Sequence, residues 1–302
     1  MELIRLTQHV YYFHAAVNIG YITYQDKGLL IDSGIDASAS KKVIKLLAQK
    51  ELPLNYIVLT HAHADHIGGA KWLQENKDVE IYAPKMEGAV MENTILEPIY
   101  LWNGAEPLPE LKNKFLMAES IQIHSWLPNE GEIQIGPFTL QMMYLPGHSY
   151  QQIGLSYESI LFAADALFGI DVLAKHKIPF IVSARKTMDT LKYLLDTDYI
   201  GVVPGHGQFE AEPTYKKTIR ANLDVHHELI NTIYEFVQRD KTVSFHQVIE
   251  YLLRLKSIHA KNIASWLLFR TSITAYLTYL VESKKVHVDI RENRLMVHDL
   301  TE

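Results

Sequence analysis

Along the first sixty positions the apolar residues alternate with the period of strands. Residues 10–13, 19–24 and 29–31 are runs of aliphatic, aromatic and β-branched side chains, and Gln25-Asp26-Lys27-Gly28 supplies a hairpin turn. Residues 38–49 change period: Val43, Ile44, Leu46 and Leu47 fall on one helical face, and Ser38 or Ser40 is the expected cap. A buried strand is expected at 56–59. Residues 60–69 then lead into a helix ending near Asn76, followed by a strand at 79–83 closed by Pro84.

Residues 84–130 break this rhythm with Pro84, Pro98, Pro107, Pro109 and Pro128 and short helical pieces between them. The stretch reads either as a lid over a substrate pocket or as a local core under a long insertion. Strands return at 131–135, 138–144, 154–157 and 159–162, then a helix at 187–195 and a buried strand at 199–203. Two β-rich halves, each followed by helices, imply layered sheets covered by helices, an α/β architecture. After Gly207 the pattern turns helical at 214–238, 244–255 and 273–281. It ends in a hairpin of 286–290 and 295–298 around Arg291-Glu292-Asn293-Arg294. Residues 1–210 are thus expected to form one domain and 211–302 a mainly helical, winged-helix-like region. That tail reads alternatively as a cap or a dimer surface, and a homo-oligomer is compatible with it.

Composition narrows the chemistry. The chain has 302 residues and no cysteine, so disulfides and thiolate metal sites are excluded and any metal must be held by imidazole and carboxylate. No apolar run is long enough for a membrane span, and the first residues show no secretory pattern, so a cytoplasmic protein is expected. The net charge of −6 divides into −8 for residues 1–210 (16 basic, 24 acidic) and +2 for residues 211–302 (13 basic, 11 acidic). A dedicated nucleic-acid binder usually carries a larger basic surplus.

The densest signal is Thr60-His61-Ala62-His63-Ala64-Asp65-His66-Ile67-Gly68-Gly69. Four donors lie within six residues directly after an apolar strand, and the small alanines keep the spacers clear. Such a His and Asp cluster is what a borderline divalent ion selects: Zn²⁺ first, with Mn or Fe ions also accepting these donors. Leu145-Pro146-Gly147-His148, Ala163-Ala164-Asp165, Pro204-Gly205-His206 and Leu29-Leu30-Ile31-Asp32 repeat one context, an apolar strand ending in a metal-compatible side chain. The other ten of the 15 histidines lie outside these motifs and read as surface or packing residues, His176 among them. No G-x-S-x-G elbow offers a serine nucleophile. Asn18, Tyr150 and Phe168 are the candidate pocket residues, Tyr150 as a hydrogen-bond donor or else a packing tyrosine.

Taken in order, Asp32, His61-x-His63-x-Asp65-His66, His148, Asp165 and His206 resemble the five motifs of the metallo-β-lactamase-fold superfamily over about residues 1–210. The resemblance implies a four-layer αββα sandwich with two metal ions at one edge of its sheets. His61, His63 and His148 would hold the first ion, Asp65, His66 and His206 the second. Asp165 would bridge them, and Asp32 would steady the histidine loop from behind. Asp65 and His66 are also the residues expected to bear on catalysis. Members that hydrolyse antibiotics lack the bridging aspartate, so Asp165 points to the glyoxalase II-like and lactonase-like branches. The expected reaction is hydrolysis of an ester-type bond, a thioester or lactone, in a small molecule by a hydroxide shared between two ions. The alternatives are an RNA endonuclease or phosphodiesterase, for which Lys256, Lys261 and Arg270 would have to border an open basic groove, and a non-catalytic metal-binding regulator.

Overall fold

The computed structural model describes residues 1–300. Seven strands in sequential order build the first sheet: β1 (Glu2–Arg5), β2 (Val10–His14), β3 (Ile19–Tyr24), β4 (Lys27–Ile31), β5 (Tyr56–Val58), β6 (Glu80–Pro84) and β7 (Ser125–Leu127). The first four pair antiparallel, and β4 to β7 run parallel. The second sheet holds β8 (Gly131–Ile135), β9 (Phe138–Tyr144), β10 (Ile153–Tyr157), β11 (Ile160–Phe168), β12 (Gly201–His206) and β13 (Glu210–Ala211). Its β11–β12 pair is parallel, and the rest are antiparallel. The helices are α1 (Ala37–Gln49), α2 (Ala64–Ile67), α3 (Ala70–Asn76), α4 (Lys85–Glu92), α5 (Leu96–Leu101), α6 (Ile170–His176), α7 (Ala184–Leu195), α8 (Thr214–Asp240), α9 (Phe245–Leu255) and α10 (Ile263–Glu282).

Side-chain parity shows why the sheets stack. On β4, Leu29 and Ile31 pack with Phe138, Leu140, Ile153 and Phe162 of the second sheet, whereas Leu30 between them packs with Val43 and Leu47 of α1. A strand buried on both faces has to be apolar throughout, and residues 29–31 of β4 are. The outer face of the second sheet does the same through Leu161 and Ala163, which meet Met188 and Leu191 of α7 and Ile219 of α8. The result is the expected αββα sandwich, with helices on both outer faces.

Several local expectations are corrected. Helix α1 is capped by Asp36, whose carboxylate accepts the Ser38 and Ala39 amides, while Ser40 turns inward and donates to the Ser33 carbonyl. Strand β11 runs on through Asp165 to Phe168, with a register shift at Ala164, a residue held at φ 46°. Helix α10 starts ten residues before the expected 273, and α6 and β7 had no forecast. The segment after β6 contributes α4 and α5, then returns to the first sheet as β7.

The C-terminal region follows the order α8, β14 (Thr242–Ser244), α9, α10, β15 (Val286–Arg291), β16 (Arg294–Asp299), with its sheet ordered β14-β16-β15. The expected hairpin is thus present as β15 and β16, and β14 adds a third strand beside β16. Its helices share a continuous core with α7 and the second sheet, from Met143 and Leu191 through Tyr215 and Ile233 to Tyr276 and Val297. A second, smaller core joins α10 to the 84–130 segment: Leu267 packs with Leu101, Leu111 and Leu116. No helix among the described residues is long and apolar enough to cross a membrane.

Candidate metal centre

The ends of parallel strands converge at one edge of the sandwich. Asp32 follows β4, His61 and His63 follow β5, Asp165 lies in the irregular stretch of β11, and His206 closes β12. His148 enters from the loop after β9. Glycine is required where the backbones crowd: a Cβ on Gly205 would stand 1.9 Å from the Asp165 carboxylate, and Gly147 adopts φ 132°, a conformation other residues rarely take.

Most of the clustered histidines have one ring nitrogen pinned from behind, leaving the other aimed inward. His148 Nδ1 donates to the Phe180 carbonyl at 2.8 Å and His206 Nδ1 to that of Ala16 at 2.7 Å. His61 Nδ1 meets Thr60 Oγ1 at 3.0 Å, and that hydroxyl donates to Asp32. His66 Nδ1 donates to Asp32 Oδ2 at 2.7 Å. Outer partners of this kind fix the tautomer and orientation of metal-ligating imidazoles. Asp32 itself sits at φ 65°, held by the Thr60 amide at 2.9 Å. Its role is therefore to brace two histidines from outside the cluster.

The inward atoms lie close together. His66 Nε2 faces Asp165 Oδ1 at 3.2 Å, and His148 Nε2 and His206 Nε2 face Asp165 Oδ2 at 3.4 and 3.3 Å. His206 Nε2 is 3.4 Å from Asp65 Oδ2, and His63 Nδ1 is 2.8 Å from His148 Nε2. Donors about 2.0–2.1 Å from a tetrahedral ion stand about 3.3 Å apart, which is the spacing of the aspartate contacts. His61 Nε2 is buried without any hydrogen-bond partner, and His66 Nε2 and Asp165 Oδ1 have no neighbour of that kind but each other. Orphaned lone pairs this deep are costly unless a cation completes them. Three overlapping groups could each hold an ion: His61, His63 and His148; His61, His66 and Asp165; Asp65, His66 and His206. The residues fit divalent metal.

Titration follows the same crowding. Burial, with His148 beside it, pulls His63 down to about 3, and burial among three other imidazoles drives His61 well below the usual histidine value. Burial lowers His206 too, but Asp165 overrides it and raises His206 to about 10; His66 is likewise raised by Asp165 and Asp32. Burial raises Asp65, yet His66 and His206 outweigh it and bring the carboxyl to about 2.

A cavity of about 440 Å³ opens onto the cluster. Its wall is mainly apolar, with Val17, Ile35, Leu116, Phe168, Phe180 and Leu268; Glu97 and Phe115 of the 84–130 segment also line it. Phe168 stacks on His206 (27° between planes) and meets His148 edge-on. Of the other two pocket candidates, Tyr150 is 48% exposed and outside this wall. Asn18 is buried beneath the cluster, where its amide donates to the carbonyls of Pro204 and Gly207 and so holds the His206 loop. His176, read as a bland histidine, lies in the cavity wall.

One residue of the centre left no sequence signal. Glu87, buried on α4, accepts the Ala62 amide at 3.0 Å, the Ser149 hydroxyl at 2.7 Å and the Gln151 amide at 2.7 Å. A single carboxylate thus straps the spacer between His61 and His63 to the residue after His148. Glutamate in a proline-broken segment has no motif to mark it.

The family model for the metallo-beta-lactamase superfamily matches residues 14–206. The chain belongs to that superfamily, and it is a metal-dependent hydrolase. It is 27% identical over 189 residues to hydroxyacylglutathione hydrolase GloC of Haemophilus influenzae, across 60% of this chain and 80% of that protein. It is 26% identical over 197 residues to the probable metallo-hydrolase YqgX of Bacillus subtilis, across 63% and 84%. In fold it is similar to a metallo-beta-lactamase family protein from Thermus thermophilus, with a TM-score of 0.72 at 17% identity, covering 92% of this chain and 93% of that one.

Proposed function

We propose that the protein hydrolyses an ester-type bond, a thioester or a lactone, in a small and largely apolar molecule, using two divalent ions, Zn²⁺ first. The observation that carries this reading is the apolar cavity of about 440 Å³ lying directly over the His and Asp cluster and walled by residues of the 84–130 segment and α10. Ligand pockets of this size and lining suit a small organic substrate. The similarity to hydroxyacylglutathione hydrolases, whose name denotes a thioester substrate, supports it.

Divalent ions in such a site supply Lewis acidity toward a carbonyl oxygen and acidify water. The chain's own residues supply the rest. Asp165 gathers His66, His148 and His206 around one carboxylate, and Asp32 and Glu87 hold the loops behind them. Phe168 and Phe180 cover the imidazoles of His206 and His63 and keep bulk water from that side. Asp65, whose carboxyl His66 and His206 hold ionised, would serve as a ligand to the ion together with them.

The RNA reading requires free cations along a groove. Lys256 pairs with Glu228 at 2.6 Å, and Arg270 donates to the Leu101 carbonyl at 2.6 Å while lying over Trp266. These two cations are engaged within the fold, which supports a small substrate over a nucleic-acid partner.

The test is metal analysis of the purified protein followed by thioester, lactone, phosphodiester and RNA substrates. Two equivalents of metal and turnover of thioester or lactone are expected. Metal-loaded protein that cleaves only phosphodiesters or RNA would overturn the reading.

A further inference from the structure

Among the described residues, Glu97 is the one carboxyl in the cavity wall that does not belong to the metal cluster. It stands on α5, in the segment that covers the cavity, and is 5% exposed. Asp65 and Glu87 act on it through space, and the Tyr100 phenol, one turn along α5, by hydrogen bond. An ionised carboxylate is expensive at such burial, which favours the protonated form. Burial, then Asp65 and Glu87, hold Glu97 well above the ordinary carboxyl range.

A neutral carboxyl offers one O–H donor and a carbonyl acceptor. Tyr100 uses part of that capacity; the remainder borders a cavity whose wall includes the apolar Leu116, Leu268 and Phe180, with Lys175 and His176 elsewhere in the lining. A polar group placed among such neighbours discriminates strongly, because a ligand that cannot meet it strands it without a partner.

We propose that Glu97 is a specificity-determining residue that receives one neutral hydrogen-bonding group, a hydroxyl or an amide, on a substrate that is otherwise apolar where it meets this wall. The inference rests on the ester-hydrolase reading for the type of molecule, and on the placement of Glu97 for its polar substituent.

The experiment uses the full metal-loaded protein and acyl ketones in which a methylene replaces the thioester sulfur. One series carries a hydroxyl or an amide at successive acyl carbons, and the parent carries none. Binding is measured by calorimetry, and kcat/KM on the corresponding thioesters. At least one substituted member is expected to bind wild type about tenfold or more tighter than the parent. That ratio should fall to near unity in Glu97→Leu, with parent affinity kept, and survive in part in Glu97→Gln, which is close in shape and guards against misfolding. A purely structural Glu97 would lower Tm in Glu97→Leu without moving the ratio, and that result would overturn the inference. So would equal binding of every member by wild type, absence of binding throughout, or preference for an ammonium-bearing member. Discrimination in binding without hydrolysis of any thioester would instead count against the ester-hydrolase reading alone.

Discussion

The side-chain amide of Asn222 on α8 closes a ring of two hydrogen bonds with the peptide of Phe168, donating to its carbonyl at 2.8 Å and accepting its amide at 3.2 Å. Asn222 is itself 1% exposed and also donates to the Thr218 carbonyl. The aromatic ring that stacks on His206 is therefore held from outside the two sheets, by the first C-terminal helix.

Replacing Asn222 by Leu keeps the volume and removes all three bonds, leaving the part-buried backbone N–H and C=O of Phe168 unsatisfied. A loss of about 1–3 kcal/mol in unfolding free energy is expected, with a rise in KM and unchanged metal stoichiometry. Denaturant unfolding and metal analysis check this together. Loss of metal in Asn222→Leu would show that the helix holds the ligands and not the wall.

Glu87→Gln retains shape but puts an amide donor where three donors already converge. Weaker metal binding by about 10–100-fold is expected, as for other residues that orient ligands from behind. The group His61, His63 and His148 should be the one affected, leaving about one tightly held ion. Competition with a chromophoric chelator gives the affinities; two ions held at wild-type strength would sink the strap.

Gly205→Ala brings a methyl group onto the Asp165 carboxylate, with 1.9 Å between Cβ and Oδ1 before any adjustment. Neither partner can withdraw, since Asp165 lies in the bulge of β11 and Gly205 in β12. Activity should fall below detection while far-ultraviolet dichroism stays near wild type. A fully active alanine variant would mean that Asp165 is not where the contacts place it.

Metal uptake should release protons near neutral pH. Without metal, Asp165 keeps His206 protonated up to about pH 10 and His66 is raised as well, whereas a bound ion requires both imidazoles neutral. Because the folded pKa of His206 lies above its unfolded value of about 6.5, its charge stabilises the ion-free fold fully below about pH 6.5. That contribution fades as pH climbs through about 10. Calorimetry of zinc uptake in buffers of different ionisation enthalpy should show release of about two protons; none released would contradict the pairing with Asp165.

What the sequence disclosed and what it hid follow from the range of the interactions. The candidate ligands announce themselves because each sits at the end of an apolar run, and four crowd into His61–His66. Asp32 could be placed for the same reason. Glu87, Glu97 and Asn222 reach the site across the fold from helices whose local pattern serves packing, so no spacing betrays them. The early start of α10 escaped because its first half packs against the segment over the cavity as well as against its own module, through Leu267 and Ile273 on different faces. A helix buried on several sides loses the one-faced period that marks an amphipathic one. Ser38 looked like a cap by type, yet Asp36 lay two residues nearer the strand and had the stronger acceptor.

The small core in which Leu267 meets Leu101, Leu111 and Leu116 has a bearing on how such enzymes could be re-tooled. The roof of the pocket is a composite of two stretches more than a hundred residues apart, so neither can be transplanted alone. A chimera that borrows the proline-broken loop from a relative must borrow the matching turn of α10 with it, and substrate range would then travel as a paired cassette.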